Sequence, residues 1–352
     1  MYNYIYFILE LNINKSHNFS YLYCKFYDII IIGESMIKKQ FKNLDEQIDI
    51  LKYKGLVINN IDYARNVLLR ENYFFLTGYR HLFMKSSNEK VYKENTRFEE
   101  LYSLFLFDRT LRNILFKNLL IIENNLKSIS SYQLSKRYGY KERDYLKEKN
   151  FDNSPEKKRQ VNDLIKKMKR QIRSNSRENT ATMHYVSNYG YIPLWILVKV
   201  LSFGIVSEMF SVLKREDQKD IANIYGVDVD NMLIYLPILS NYRNLCAHED
   251  ILYENRTKKS INDTIYHKML KIDKVNDTYK YGKNDLFALI IIMKELLQFE
   301  EFKNMAIEIN NAITALSYNL QTISVDVVLD KMGFPRNWRE IATIERRKDD
   351  EE

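Results

Sequence analysis

The stretch FEELYSLFLFDRTLRNILFKNLLIIENNLKSISSYQLSKRYG, residues 98–139, carries the longest helical pattern in the chain. Its leucine, isoleucine and phenylalanine residues recur at helical spacing and keep a wide apolar face. Asp108, Arg112 and Glu123 lie among them. Ionisable residues in a mostly apolar helix are either paired structural ions or groups that support a site. The pattern predicts a long core helix, with a break or bend, against which the rest of the fold packs.

The composition favours an all-α fold. Among 352 residues there are only 9 glycines and 4 prolines, which argues for long helices with short connections rather than a turn-rich β fold. Two cysteines, Cys24 and Cys246, offer neither a disulfide framework nor the spacing of a metal site, which fits a reducing cytoplasm. The apolar segment 286–299 is interrupted by Lys294 and Glu295, so it is expected to be a buried helix and not a membrane span.

Positive charge is concentrated in one segment. The chain has a formal net charge of +8, which favours polyanionic partners. Residues 157–177 contain nine lysines or arginines and a single acid, Asp163. A helix over this segment can bind phosphates, or the segment can be a solvated, flexible linker. The predicted RNA-binding residues are Lys166, Lys169, Arg170, Arg173 and Arg177.

The best candidate for chemistry is LSNYRNLCAHE, residues 239–249, in a helical context that we expect to begin near Pro237 and to end beside loops. Histidine can transfer protons near neutral pH, so His248 can act on a ribose 2′-OH or on the leaving 5′ oxygen. The planar guanidinium of Arg243 matches phosphate oxygens. Asn244 lies four residues before His248, hence on the same helix face, and can orient the imidazole.

The spacing alone is not specific, and a capped or core-satisfied His248 is the simpler structural alternative. On a helix, Arg243 and His248 lie roughly 140° apart. RNA cleavage moves two protons whereas the motif supplies one histidine. A site built from two copies across a two-fold axis is therefore an attractive hypothesis.

Several separated blocks resemble the abortive-infection (Abi) proteins of the AbiD/AbiF type. They occur in the order ENYFFLTGYRHLF (71–83), FEELYSLFLFDRTLRNILFKNLLIIENNLKSISSYQLSKRYG (98–139), YIPLWILVKVLSFGIVSEMFSVL (191–213), IYGV (224–227), LSNYRNLCAHEDILYENR (239–256) and MGFPRNW (332–338). The resemblance covers nearly all of the chain from Met36 onward. It implies a HEPN-type domain, an all-α ribonuclease module whose R-x4-6-H motif is matched by Arg243 and His248.

The resemblance further implies a metal-independent endoribonuclease of the toxin type, active in antiviral defence and commonly a dimer. Products with a 2′,3′-cyclic phosphate are expected, and no cofactor or metal. Polar residues of the first HEPN helix commonly face the motif, and Arg112 and Glu123 are the candidates for this supporting role. RNA is the expected substrate, with an antitoxin protein or a small RNA as a further partner, and no membrane. The alternative is a non-catalytic RNA-binding or scaffold protein of the same fold.

The predicted architecture is a HEPN-type helical bundle with an N-terminal helical subdomain and a C-terminal helical extension. Residues 1–35 have aromatic and isoleucine-rich runs without helical period, and we expect translation to start at Met36 or these residues to form a poorly ordered arm. The predicted boundaries are 36–97 for the subdomain, 98–282 for the catalytic domain with a basic insertion at about 141–182, and 283–352 for the extension.

Overall fold

The computed structural model describes residues 40–86, 88–176 and 180–345. Residues 1–35 and Arg177 lie outside this range, so the expectations about them stay predictions, as do the domain boundaries. The chain divides into two units, one up to Gln47 and one from Ile48 onward. In the first unit, the Asn43 side chain accepts a hydrogen bond from the backbone N–H of Glu46 at 2.9 Å, which caps a helix start.

The regular secondary structure of the described residues is almost entirely helical, with a single two-stranded sheet, which confirms the predicted all-α class. The α-helices are α1 (Leu44–Tyr53), α2 (Ile61–Glu71), α3 (Tyr73–Thr77), α4 (Phe98–Tyr138), α5 (Glu142–Tyr145), α6 (Pro155–Asn175), α7 (Thr180–Tyr189), α8 (Leu194–Val200), α9 (Phe203–Ser211), α10 (Arg215–Tyr225), α11 (Val229–Ala247), α12 (Ile265–Met269), α13 (Leu286–Leu296), α14 (Phe299–Asn319) and α15 (Val325–Met332). Short 3₁₀ helices cover Gly78–Phe83, Glu148–Asn150 and Trp338–Ala342. An antiparallel hairpin joins β1 (Lys274–Val275) to β2 (Thr278–Tyr279).

Helix α4 is the central element. It has 41 residues, so it is about 60 Å long, and it packs against α8, α10, α11 and α14. No break interrupts it, so the expected break was wrong, while the alternative of a bend stays a prediction. Its buried polar residues do not force a break, because Asp108 pairs with Arg112 and Glu123 pairs with Lys127, each four residues apart on the same helix face.

Hydrogen bonds connect the first turn of α4 to the residues that follow α14. The buried Glu100 carboxylate accepts hydrogen bonds from the backbone N–H groups of Gln321 and Thr322, at 2.6 and 2.7 Å. Burial raises the pKa of Glu100, but these bonds and the Thr322 hydroxyl lower it more, so the group stays ionised. The negative charge also lies at a helix N-terminus, where it is favourable.

Helix α11 carries the motif. Asp228 caps its start by accepting a hydrogen bond from the backbone N–H of Asn231 at 2.9 Å. Pro237 was expected near the first turn but lies in the middle of the helix, so that expectation was wrong. Its ring faces solvent while Leu236 and Ile238 are buried. The proline removes one backbone hydrogen bond, and the burial of its neighbours keeps the helix intact.

Helix α13 is buried along almost its whole length, as predicted. Among the described residues, none of the helices combines the length and the apolar character that crossing a bilayer requires.

Candidate active site

The motif histidine lies where α11 ends. His248 is the C-cap residue, and its backbone N–H donates to the Asn244 carbonyl at 3.0 Å. Glu249 follows with a left-handed φ of +57°, and the Asp250 N–H donates back to the Leu245 carbonyl at 3.3 Å. This turn ends the helix in the manner of a Schellman motif although it has no glycine, at a conformational cost of about 1 kcal/mol. The expected position at a helix end beside a loop is confirmed.

The His248 and Asn244 side chains are both exposed. The alternative of a histidine satisfied in the core is therefore wrong, because solvent and a ligand can reach the ring. In the part of the chain that the structure describes, neither side chain forms a hydrogen bond to another protein group. The predicted orienting contact from Asn244 to the imidazole is thus absent from this conformation, although the two residues share a helix face.

Arg243 is held from one side by α4. Its Nε atom lies 3.3 Å from Oε2 of Glu123, and the other carboxylate oxygen accepts from Lys127 Nζ at 2.7 Å. The Arg243 guanidinium carbon lies 5.6 Å from the ring centroid of Phe116, a cation–π distance. The Arg243 side chain remains 30% exposed. Within the described residues its two terminal nitrogens donate to no protein acceptor, so they remain available to an anion.

A second buried group fixes the segment after the motif. The Asp108 carboxylate accepts hydrogen bonds from the backbone N–H groups of Leu252 and Tyr253, at 3.0 and 2.8 Å. It also accepts from Arg112 at 2.6 Å and from the Tyr79 hydroxyl at 2.7 Å. All four donors converge on one fully buried side chain. The carboxylate therefore fixes the main chain four and five residues beyond His248.

The two supporting candidates have different surroundings. Glu123 contacts Arg243 directly, as expected of a residue that faces the motif. Arg112 instead donates to the Asp250 carbonyl at 3.2 Å, as well as to Asp108. Arg112 is buried and satisfied by these groups, so it can position the loop but contacts neither Arg243 nor His248.

Charged and ionisable residues lie next to His248 in the sequence. Burial raises the pKa of the Asp250 carboxyl, while His248 and Arg112 lower it by electrostatic attraction. Glu249 faces Arg109, with 3.8 Å between the charged atoms, and Arg109 also forms two hydrogen bonds to Glu71. Burial raises the pKa of the Cys246 thiol to about 12, so this cysteine stays protonated and is a poor nucleophile.

A known protein family matches the part of the chain that contains these residues. The model of the Abi-like protein family matches residues 66–254, which is more than half of the chain. The matched range begins before α4 and ends just after Leu252 and Tyr253, the residues that bind Asp108. The chain belongs to the Abi-like protein family. Its family relationship suggests a role in abortive-infection defence. No curated protein and no solved structure matches the chain significantly.

The basic segment of this Abi-like chain forms helix α6. One face buries Val161, Leu164, Ile165 and Met168, so the linker interpretation is wrong for the described residues. The opposite side exposes the remaining predicted RNA-binding residues, Lys166, Lys169, Arg170 and Arg173. Lys166 lies 4.0 Å from Asp163. Within the described residues the side chains of the other three form no ion pair, which leaves them available to phosphates.

A metal site was not expected in this family member. Among the residues that the structure describes, no three His, Cys, Asp or Glu side chains are placed to hold a metal ion together.

Two residues that the sequence interpretation left out belong to the site. Lys127 shares the Glu123 carboxylate with Arg243, and its position four residues after an acid on a helix is a detectable signal. Tyr79 completes the group around Asp108, but no sequence pattern joins residues 29 positions apart on different elements.

Proposed function

We propose that this Abi-like protein is a metal-independent endoribonuclease, of the AbiD/AbiF type and the HEPN superfamily, that cleaves cellular or phage RNA in anti-phage defence. The observation that best supports this proposal is the way in which Arg243 is bound. A buried carboxylate binds its Nε atom and leaves the two terminal nitrogens accessible, which is the arrangement needed to bind a scissile phosphate.

In the proposed mechanism His248 performs general acid/base catalysis. As a base, it takes the proton of the ribose 2′-OH, and the resulting oxygen attacks the adjacent phosphorus. Arg243 stabilises the additional negative charge on the phosphate. The bond to the 5′ oxygen breaks, and that oxygen receives a proton. The products are a 2′,3′-cyclic phosphate and a 5′-OH.

One histidine cannot serve as base and acid at once in a single step. A homodimer in which the partner subunit supplies the second imidazole resolves this, and the exposed position of His248 at a helix end is compatible with such pairing. Asn244 would then orient an imidazole in the assembled site. An antitoxin protein or a small RNA is the proposed restraint between infections.

The experiment that tests this proposal measures cleavage of an end-labelled single-stranded RNA by the purified chain in the presence of EDTA. We expect Arg243→Ala to slow cleavage by about 100-fold. Arg215→Ala is the matched control, because Arg215 is an exposed arginine paired with Asp230 in the first turn of α11, at the opposite end of that helix from the motif. Equal rates for Arg243→Ala and the parent would contradict the assigned role of Arg243.

The second candidate function is RNA binding without cleavage. The exposed lysines and arginines of α6 favour it, because they can bind phosphates whether or not His248 is catalytic. A parent protein that protects cells from phage while RNA remains intact would support this candidate.

A further inference from the structure

Five tyrosine and tryptophan rings form a connected group on the elements that follow α4. We name this group the aromatic cluster; its members are Tyr140, Tyr185, Tyr189, Tyr191 and Trp195. Ring centroids lie 5.4 Å apart for Tyr185 and Tyr189, and 6.2 Å apart for Tyr189 and Tyr191. Tyr140 lies 5.6 Å from Tyr191 and 5.7 Å from Trp195. Neighbouring rings are therefore in contact across the whole cluster.

Much of this aromatic surface faces solvent. Tyr140, Tyr189 and Trp195 are 41%, 57% and 43% exposed. Single exposed aromatic residues are ordinary, but a contiguous exposed group of large rings commonly marks a binding site. Core packing does not explain the cluster, because the neighbouring Leu194 and Leu197 already fill the buried side of α8.

The charge around the cluster is positive. Lys141 Nζ lies 4.8 Å from the ring centroid of Tyr191 and 5.8 Å from that of Tyr140. Lys199 is exposed and follows Trp195 by four residues, so it projects from the same side of α8. The sequence from Thr180 to Val200 contains no acidic residue. The nearby Glu142 carboxylate accepts a hydrogen bond from the Ile192 N–H at 2.9 Å.

The basic helix adjoins this surface. Helix α6 packs against both α7 and α8, which carry three of the five rings. Its exposed Lys169, Arg170 and Arg173 therefore belong to the same region of the fold. Stacking rings beside a row of cations is the combination by which proteins bind unpaired nucleotides, with bases on the rings and phosphates on the cations.

We propose that the aromatic cluster is a stacking platform for the unpaired bases of single-stranded RNA, whose phosphates bind Lys141, Lys199 and the exposed cations of α6. The proposal rests on the proposed function in taking RNA as the partner. It adds the class of RNA and the surface that recognises it. Bases in a duplex have their faces covered by their neighbours, so a double-stranded RNA cannot use the rings.

Binding is measured by fluorescence anisotropy of a labelled 12-nucleotide oligoadenylate, with the full chain carrying His248→Ala so that the probe stays intact. We expect Tyr189→Leu and Trp195→Leu each to weaken binding by about ten-fold. Tyr189→Phe, which keeps the ring, should bind like the parent. Tyr132→Leu is the matched control, since Tyr132 is an exposed tyrosine of α4 outside the cluster. The urea midpoint of each variant shows whether it is folded.

The same oligoadenylate annealed to its complement should bind more weakly and show no dependence on Tyr189. Unchanged affinity of the folded leucine variants for the single strand would overturn the platform. A change in molecular mass by light scattering, without a change in RNA affinity, would also overturn it by assigning the cluster to a contact between protein chains.

Failure of this proposal is distinguishable from failure of the proposed nuclease function. Ring-dependent binding by the His248→Ala protein supports the platform even if the parent cleaves no RNA. Conversely, cleavage by the parent together with ring-independent binding leaves the nuclease in place and rejects the platform.

Discussion

Glu123 of α4 accepts a hydrogen bond from Nε of Arg243 on α11, although the two residues are 120 positions apart in sequence. The same carboxylate accepts from Lys127. Eleven residues earlier on α4, Arg112 contacts the carbonyl of Asp250, which follows Arg243 on the chain. The two helices therefore run antiparallel. Helix α4 holds the motif at two levels, through the arginine side chain and through the main chain beyond the histidine.

Replacing Glu123 with glutamine should slow RNA cleavage by about ten-fold, because the amide cannot hold Arg243 by charge and the guanidinium becomes less well positioned. Glutamine keeps the side-chain volume, so the fold should survive. Single-turnover cleavage rates measure the effect. Lys127→Met is the comparison, since it removes the other partner of Glu123 and leaves the contact to Arg243. If Glu123→Gln cleaves like the parent, Glu123 is only structural.

Asp108→Ala should lower the free energy of unfolding by about 3–5 kcal/mol, because it leaves the buried Arg112 guanidinium without its ion-pair partner. Urea unfolding measures this change. Asp62→Ala breaks the exposed pair with Arg65 and should cost no more than about 1 kcal/mol. Similar losses for the two variants would contradict the anchoring role of Asp108.

The all-α fold, the long α4 helix and the position of the site at a helix end could be predicted from the sequence. The spacing of apolar residues and the small number of glycines can be recognised without knowledge of the tertiary structure. The placement of Pro237 could not be predicted from the sequence, since a proline is typical of a first turn and only tertiary burial keeps a helix continuous around it. The break expected in α4 is absent, and the buried Asp108 and Glu123 carboxylates are each paired with a residue of the same helix.

The arrangement of the candidate site was only partly predictable. Arg243, Asn244 and His248 belong to one local motif. Glu123 was predicted to face this motif, and its contact with Arg243 agrees with that prediction. Arg112 was predicted for the same role; it contacts the Asp250 carbonyl just after the motif and not Arg243, and its role at the site stays a prediction. That difference depends on the register between α4 and α11, which no local pattern encodes.

Replacing Lys169, Arg170 and Arg173 together with glutamine should weaken RNA binding and reduce its salt dependence. Each lost phosphate contact lowers the slope of log affinity against log salt by about 0.7, so the slope should fall by about 2. Affinities measured at several salt concentrations between about 50 mM and about 200 mM give the slope. Lys167→Gln is the control, because Lys167 is paired with Glu208. An unchanged slope in the triple variant would exclude α6 from the RNA interface.

His267 makes the fold sensitive to acid. Its Nδ1 atom accepts from the Thr264 N–H at 3.0 Å and its Nε2 atom lies 3.0 Å from the Gly282 carbonyl, so the buried neutral ring is fully paired. Burial lowers the pKa of His267 below its usual 6.5. The unfolded chain therefore binds the proton first, and this contribution to stability is complete above pH 6.5 and decreases as the pH falls below it.

Urea midpoints measured at several pH values for the parent and for His267→Gln test that dependence. The parent should lose more stability than the variant on acidification below about pH 6.5. Parallel pH profiles would show that His267 does not contribute to acid sensitivity.

The most direct test of the central claim is RNA-end sequencing in cells that express the parent, His248→Ala or His81→Ala, an exposed histidine outside the motif. We expect new 5′-OH ends matched to 2′,3′-cyclic phosphate ends with the parent and with His81→Ala. With His248→Ala these ends should fall by about 100-fold or more. The same ends at undiminished frequency in the His248→Ala cells would contradict catalysis at this site.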